Sequence, residues 1–363
     1  MKKMKIIRII LFTYIIQLSL SVNCQNNTDS ISILFIGDIM GHDSQINSAR
    51  QQDGSYNYSE VFKYIKPIIS KADIAIANLE VTLAGPPYKG YPQFSSPDTL
   101  AIDAINAGID VFCTANNHTL DRRKSGLIRT IKILDSLNIQ HTGTFISSKD
   151  KSTHTPLLIE KNNIKIALIN YTYGTNGIPV PSPTVVNIIN RNNIIEDVKK
   201  AKLLNPDKII LFIHWGTEYQ HQPNKKQLDL ADFCFNNDID IIIGSHPHVI
   251  QKSLWVKDKD TFITYSLGNF VSNQRKRYTD GGQMIKITLK KQNNITTITN
   301  SKYILTWVYT PFINNKKHFY ILPCSEYEKN YDFFKDKNQF NKMKLFISDS
   351  RLLLNNNNLN VNE

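Results

Sequence analysis

A chain of 363 residues carrying a net charge of +12 and four cysteines allows one large domain, or one with an appended tail, and argues against a disulfide framework. No Cys-x-x-Cys pair is formed by Cys24, Cys113, Cys234 or Cys324, which excludes a zinc ribbon. The basic balance suits an anionic partner such as phosphate, a polyanion or a membrane surface, or reflects a composition simply rich in lysine and asparagine.

In chain order, the first element is a leader. Lys2, Lys3, Lys5 and Arg8 precede an apolar run from Ile9 to Val22. The run is short for a spanning helix and has the shape of a secretory signal, expected over residues 1–23. Cys24 stands where a bacterial lipoprotein is cleaved and acylated, although Ser21-Val22-Asn23 is only a loose lipobox. Acylation at Cys24 and plain cleavage nearby are both open. No later segment has the length and apolarity to cross a bilayer, so the expected product is a soluble, extracytoplasmic body in the cell envelope.

From Ile31 onward, strand-like apolar runs alternate with helical stretches. ISILFIGD predicts a buried strand ending in a turn, Val61 to Lys71 a helix, and ADIAIANLE a strand. Thr99 to Ala107 predicts a helix stopped by Gly108, then IDVFCTANN a strand and Ser125 to Leu137 a helix. KIALINYT, DKIILFIHWG and IDIIIGSH predict strands, interleaved with helices at Asn193 to Leu204 and Lys225 to Asn236. TFITYSLGNF and QMIKITL follow as strands, KKQNNITTITN as a hairpin. Apolar runs of this length imply an α/β fold whose sheet faces are covered by helices. Cys113 and Cys234 fall in apolar positions and predict buried free thiols. The expected organisation is one domain over residues 31–289, a β/α extension over 290–345, and a polar, partly disordered tail over 346–363, with NQFNKMKLFISDSRLLLNNNNLNVNE predicting one helix followed by that tail.

The polar residues fall at strand ends. Asp38 follows the first strand, Asn78 and Glu80 end the second, and Asn116, Asn117 and His118 end the third. His214 closes FIHWG, and His246 and His248 close GSHPHV, where a one-residue gap puts two imidazoles on one side of an extended segment. Residues at the carboxyl ends of parallel strands gather in one crevice. Imidazoles, an amide and carboxylates suit a two-metal centre for ions such as Zn, Mn or Fe, with one carboxylate bridging the pair. Two such cations can bind a phosphoryl group and activate water. His118, oriented by Asp121, is placed to donate a proton.

Taken together, GDIM, ANLE, TANNHTLD, HWGTEYQHQP, GSHPHVIQ and YSLGNFV, in that order, resemble the CapA capsule-synthesis family associated with poly-γ-glutamate, itself similar in fold to calcineurin-like metallophosphoesterases. The likeness runs from about Ile33 to Leu289. It implies a four-layer α/β/β/α sandwich with a small C-terminal extension. It also implies Asp38 and His248 on one metal, His214, His246 and Asn117 on the other, Glu80 between them, and His118 as the catalytic histidine. Asn78, Asn116, Glu218 and Asn269 would support the ligands or face substrate.

The chain departs from the metallophosphoesterase pattern at Met40, where those enzymes usually carry a histidine, and at Arg123, where the family usually has glycine. Arg122 to Lys124 and Arg275 to Arg277 form two basic clusters that suit an anionic polymer. The implied function is metal-dependent hydrolysis of a phosphoester or of an anionic envelope polymer such as poly-γ-glutamate. The competing class is a non-catalytic factor that binds polymer or docks a membrane synthase. The membrane is a partner only through an acylated Cys24, and no nucleic acid is expected.

Overall fold

The computed structural model describes residues 29–363, so the leader expected over 1–23 and Cys24 lie outside the described residues. An eight-stranded sheet is built from β1 (Asp29–Ile39), β2 (Ile74–Leu79), β3 (Val111–Cys113), β4 (Gln140–Thr142) and four strands from the second half of the chain. A six-stranded sheet contains β5 (Leu157–Lys161), β6 (Ile164–Thr172), β7 (Lys208–His214), β8 (Ile241–Ser245), β9 (Ser253–Val256) and β10 (Thr261–Thr264). The later strands of the first sheet are β11 (Asn269–Val271), β12 (Gly281–Gln292), β13 (Ile295–Tyr309) and β14 (Tyr320–Pro323). Its order is β14-β13-β12-β1-β2-β3-β4, with β11 also paired to β1; the second runs β9-β10-β8-β7-β6-β5. Pairing is parallel through β1, β2, β3 and β4, and through β6, β7, β8 and β10.

Alternation along these strands sets the layers. Ile33 and Phe35 of β1 and Ile74 and Ile76 of β2 share one buried cluster with Ile166 and Leu168 of β6 and Ile241 and Ile243 of β8, so the two sheets pack face to face. The intervening residues face outward. Leu34, Ile36, Ala75 and Ala77 meet helices α1 (Thr99–Asn106) and α2 (Arg123–Ser136) through Leu100, Ala104 and Leu134. Ile169, Leu211 and Ile242 meet α3 (Arg191–Leu203) and α4 (Lys225–Phe235) through Ile194, Val198 and Cys234. The result is the expected α/β/β/α sandwich. Cys113 and Cys234 are free and buried, as is Cys324. No helix among the described residues is long and apolar enough to cross a membrane.

Several predicted elements come out differently. The helix expected from Val61 to Lys71 is two short ones, Ser59–Phe62 and Lys66–Ile69, the second starting around Pro67, which tolerates only a first turn. The strand expected over TFITYSLGNF breaks after Thr264, and Tyr265 to Gly268 carry the chain from the second sheet across to β1 of the first. The boundary placed after Leu289 falls inside β12, because Asn293 and Asn294, both at positive φ, turn β12 directly into β13. The polar tail expected over 346–363 is largely ordered. Helix α5 (Lys337–Asn357) buries Phe346, Ile347 and Leu354 in the inter-sheet cluster, and Val361 follows them. The helix itself was expected in this stretch; the asparagine-rich composition hid how far the order extends, because only one face of the helix is apolar.

Candidate metal centre

The chain end of each central strand delivers one group. β1 ends beside Gly268, and a Cβ on Gly37 would sit 2.2 Å from the Gly268 carbonyl oxygen. Glycine at 37 therefore lets the crossing segment approach, and Asp38 pairs in register with Asn269 and with Asn78. Glu80 follows β2, and Asn116 to His118 follow β3. The second sheet supplies His214 at the end of β7 and His246 and His248 after β8. His246 and His248 have φ of 98° and 57°, so a left-handed turn brings the imidazoles in, rather than the extended alternation expected from their spacing.

Two groups of donors result, Asp38, Glu80 and His248 in one and Glu80, His214 and His246 in the other, with ligand atoms within 4.8 Å of one another in each. Glu80 belongs to both. Its Oε1 is buried and accepts no hydrogen bond, yet it faces His214 Nε2 at 3.5 Å and His248 Nε2 at 3.9 Å. The remaining contacts fix which ring atoms are free. Asn269 Nδ2 donates to the Thr279 carbonyl (2.8 Å), so its Oδ1 accepts from His248 Nδ1 (3.0 Å), leaving Nε2 as the lone-pair nitrogen. His214 Nδ1 meets Ser245 Oγ at 2.8 Å, and its Nε2 meets Asn117 Oδ1 at 2.8 Å. His246 Nδ1 is buried without a partner.

Electrostatics point the same way. Burial, and then the charge of Asp38, pushes the Glu80 carboxyl well above the usual carboxylate range. Burial and the neighbouring imidazoles pull His214 well below its ordinary value and His246 down to about 3. The His214 and His246 rings are thus neutral lone-pair donors facing the Glu80 carboxyl. Buried lone pairs aimed at one another repel, and a divalent cation between them reverses the sign. The residues present fit such ions.

Around this cluster, Asn78 Nδ2 donates to Asp38 Oδ1 (2.8 Å) and Glu80 Oε2 (3.3 Å). Asn116 Nδ2 donates to the Leu79 carbonyl (2.8 Å), and its Oδ1 accepts from the His118 backbone N–H (3.1 Å). Asp121 Oδ2 accepts from His118 Nδ1 (2.8 Å) and from the Phe94 N–H (2.7 Å). His118, Asp121, Asn117 and Glu218 line a cleft of about 350 Å³. Every candidate site residue named from the sequence, Cys24 apart, is thus at the cluster, hydrogen-bonded to it or in its cleft, whereas Arg275 and Arg277 lie elsewhere, on the Val308 carbonyl and Asp349. His42 belongs to neither donor group; its Nδ1 meets Gln45 Oε1 (3.1 Å) and accepts from the Asn273 N–H (3.2 Å). Met40 is buried among apolar side chains.

Some residues at the site escaped the sequence reading. Asn170 Oδ1 accepts from the Ala115 N–H (2.7 Å) and its Nδ2 donates to the Phe212 carbonyl (3.0 Å), tying the second sheet to the loop that carries Asn117 and His118. A lone polar residue inside KIALINYT was its signal. Exposed tyrosines rim the cluster: Tyr173 lies 4.5 Å from the His246 ring, Tyr219 lies 6.3 Å from His248, and Tyr91 lies 6.4 Å from Phe94, which packs edge-on to His118 at 4.7 Å.

Residues 32–274 match the family model described as bacterial capsule synthesis protein PGA_cap. The chain is similar to the capsule biosynthesis protein CapA of Bacillus anthracis, 25% identical over 273 residues, which cover 72% of this chain and 64% of that protein. It is 27% identical over 279 residues to the PGA biosynthesis protein CapA of Bacillus subtilis (strain 168), covering 72% and 69%. The match therefore spans a little under two thirds of the first relative's length. Among solved structures, the calcineurin-like phosphoesterase YfkN of Bacillus subtilis superposes with a TM-score of 0.47 at 14% identity, covering 88% of this chain and 99% of that one.

Proposed function

This chain belongs to the bacterial capsule synthesis protein family PGA_cap, and on that premise we propose that it is a metal-dependent hydrolase of the cell envelope. Its substrate is a phosphoester or an anionic envelope polymer, poly-γ-glutamate among the candidates. The observation that carries the reading is Glu80 Oε1, a buried carboxylate oxygen with no hydrogen-bond partner, faced by two imidazole nitrogens.

Asp38, Glu80 and His248 would hold one divalent cation, and Glu80, His214, His246 and the Asn117 amide a second; Mn, Fe and Zn suit this mixture of nitrogen and oxygen donors. Such a pair, when bound, neutralises charge on a phosphoryl oxygen and supplies a nucleophile at neutral pH. The protein's own share is orientation and proton transfer. Asp121 fixes the His118 ring through Nδ1, so Nε2 is the nitrogen that gives a proton to the leaving oxygen. Phe94 packs against that ring in a T-shaped contact, and both side chains are buried.

Metal analysis paired with a hydrolysis screen over phosphoesters and γ-glutamyl polymers tests the reading. Purified protein should hold transition metal in stoichiometric amount, and His246→Ala or Asn117→Ala should lose it. A metal-free wild type with normal folding overturns the enzyme reading. Met40 favours a second reading, an accessory factor that binds polymer or docks a membrane synthase, because one imidazole usual in metallophosphoesterases is replaced by a buried thioether. Metal binding without turnover on any substrate supports that alternative. Location outside the cytoplasm, with attachment through an acylated Cys24, is part of the proposal. Mass spectrometry of the mature amino terminus decides the anchor, and an unacylated start removes it.

A further inference from the structure

The cleft beside the metal cluster contains one basic side chain with no work to do in the fold. Arg123 lines it together with Asn117, His118 and Asp121. Its neighbours are engaged elsewhere: Arg122 Nη2 donates to the Pro87 carbonyl (3.3 Å) and Lys124 Nζ to the Ser182 carbonyl (2.8 Å). Among the described residues the Arg123 guanidinium enters no hydrogen bond or ion pair, and the residue is exposed. Its backbone is also unusual. Arg123 has φ of 57°, a left-handed conformation that a side chain with a Cβ adopts at a cost and glycine adopts freely. The turn is closed by the Arg123 N–H donating to the Leu120 carbonyl at 2.8 Å, two residues past the carboxylate that orients His118. A strained arginine, unpaired and held in a cleft wall by the loop that carries the proton donor, is where a ligand contact accounts for what the fold does not.

We propose that Arg123 is a specificity-determining residue that binds a second anionic group of the substrate, phosphate or carboxylate, beside the group held at the metal cluster. The assignment rests on the hydrolase reading above and narrows its substrate class to molecules carrying two anionic groups a short distance apart. A guanidinium offers paired N–H donors to either oxyanion, which a lysine cannot match. Glu218 lines the same cleft, so attraction for an anion is local to Arg123 rather than spread along the wall.

Arg123→Gly is the informative variant, because glycine accepts the turn and the fold has no contact to lose; Arg123→Lys keeps charge without the fork. Metal-loaded wild type and both variants are titrated calorimetrically with inorganic phosphate, pyrophosphate and a short γ-glutamyl oligomer. Thermal melts and metal content are recorded alongside. The expected result is that Arg123→Gly weakens pyrophosphate, the oligomer or both by about 10- to 100-fold, with Arg123→Lys between, while phosphate shifts less than about twofold and metal content holds. A loss confined to pyrophosphate identifies a second phosphate, and one confined to the oligomer identifies a carboxylate. Unchanged binding in Arg123→Gly, an equal loss for phosphate, or a wild type that binds neither larger ligand more tightly than phosphate overturns the assignment. Failure of the wild type to retain metal counts against the hydrolase reading instead, and the metal analysis reads it separately.

Discussion

His118 shows how little each side chain at the centre is left to choose. Its Nδ1 is committed to Asp121, its backbone N–H to Asn116, and its ring is packed by Phe94. Replacing it with alanine should lower turnover by about 10²- to 10⁴-fold, the usual worth of a positioned proton donor. Metal content should stay near the wild-type level, and simultaneous loss of metal and activity would make His118 a ligand. Asn170 acts at one remove. Asn170→Ala leaves the Ala115 N–H buried without an acceptor and should cost about 1–3 kcal/mol in denaturant titration, with turnover falling through the displaced Asn117 and His118. These residues differ in how openly the sequence displays them. Asp38, Glu80, Asn117, His214 and the two late histidines stand at the ends of apolar runs, where polarity against a hydrophobic background is conspicuous. Asn170 lies inside such a run, and Ser245, which meets His214, and Asn176, whose Oδ1 accepts from Asn117 Nδ2 (3.2 Å), look like ordinary strand-end and loop residues. The left-handed turn at His246 and His248 has no signature either, since neither residue is glycine.

At the scale of elements, the end of the sandwich remote from the metal cluster has its own fastening. Asp207, just before β7, accepts from the Lys165 N–H (2.8 Å) and from Lys291 Nζ and Thr296 Oγ1 of the β12–β13 hairpin (both about 3 Å). Burial alone would raise its pKa, but these donors outweigh burial and hold the carboxyl below its ordinary value. A carboxyl whose folded pKa lies below its unfolded one contributes stability that is full above about pH 4 and disappears as pH falls through the folded value. Asp207→Ala should therefore cost about 1.5–3 kcal/mol near pH 7 and progressively less in acid, measured by urea denaturation across that range. Helix α5 gives a second expectation. A chain ended after residue 345 loses Phe346, Ile347, Leu354 and Val361 from the inter-sheet core, and it should melt at markedly lower temperature or fail to fold. The long strands and helices were readable from period and length. Strand β3 was read from IDVFCTANN, though over a longer stretch than the three residues that pair, whereas β4 was not, because three residues carry no period and their pairing is imposed by neighbours.

For the molecule as a whole, the donors divide between the two layers of strands: Asp38, Glu80 and Asn117 belong to one sheet, and His214, His246 and His248 to the other. Cations bound there would tie the sheets together at one end as Asp207 does at the other. Added metal should raise the melting temperature, with about 2.7 kcal/mol of stabilisation at a hundredfold excess over Kd. A chelator should remove that gain, and His246→Ala should not show it. The layered architecture was foreseeable from alternating apolar runs, whereas the handover of the chain between sheets at Tyr265 to Gly268 was not, since the segment reads as one uninterrupted strand.

The split has a consequence in time. A growing polypeptide that has reached β4 already contains both acidic groups but none of the three imidazoles, which arrive only with residues 214 to 248. The cluster cannot exist in any partial product of synthesis, and its chemistry waits until the later half of the chain has docked.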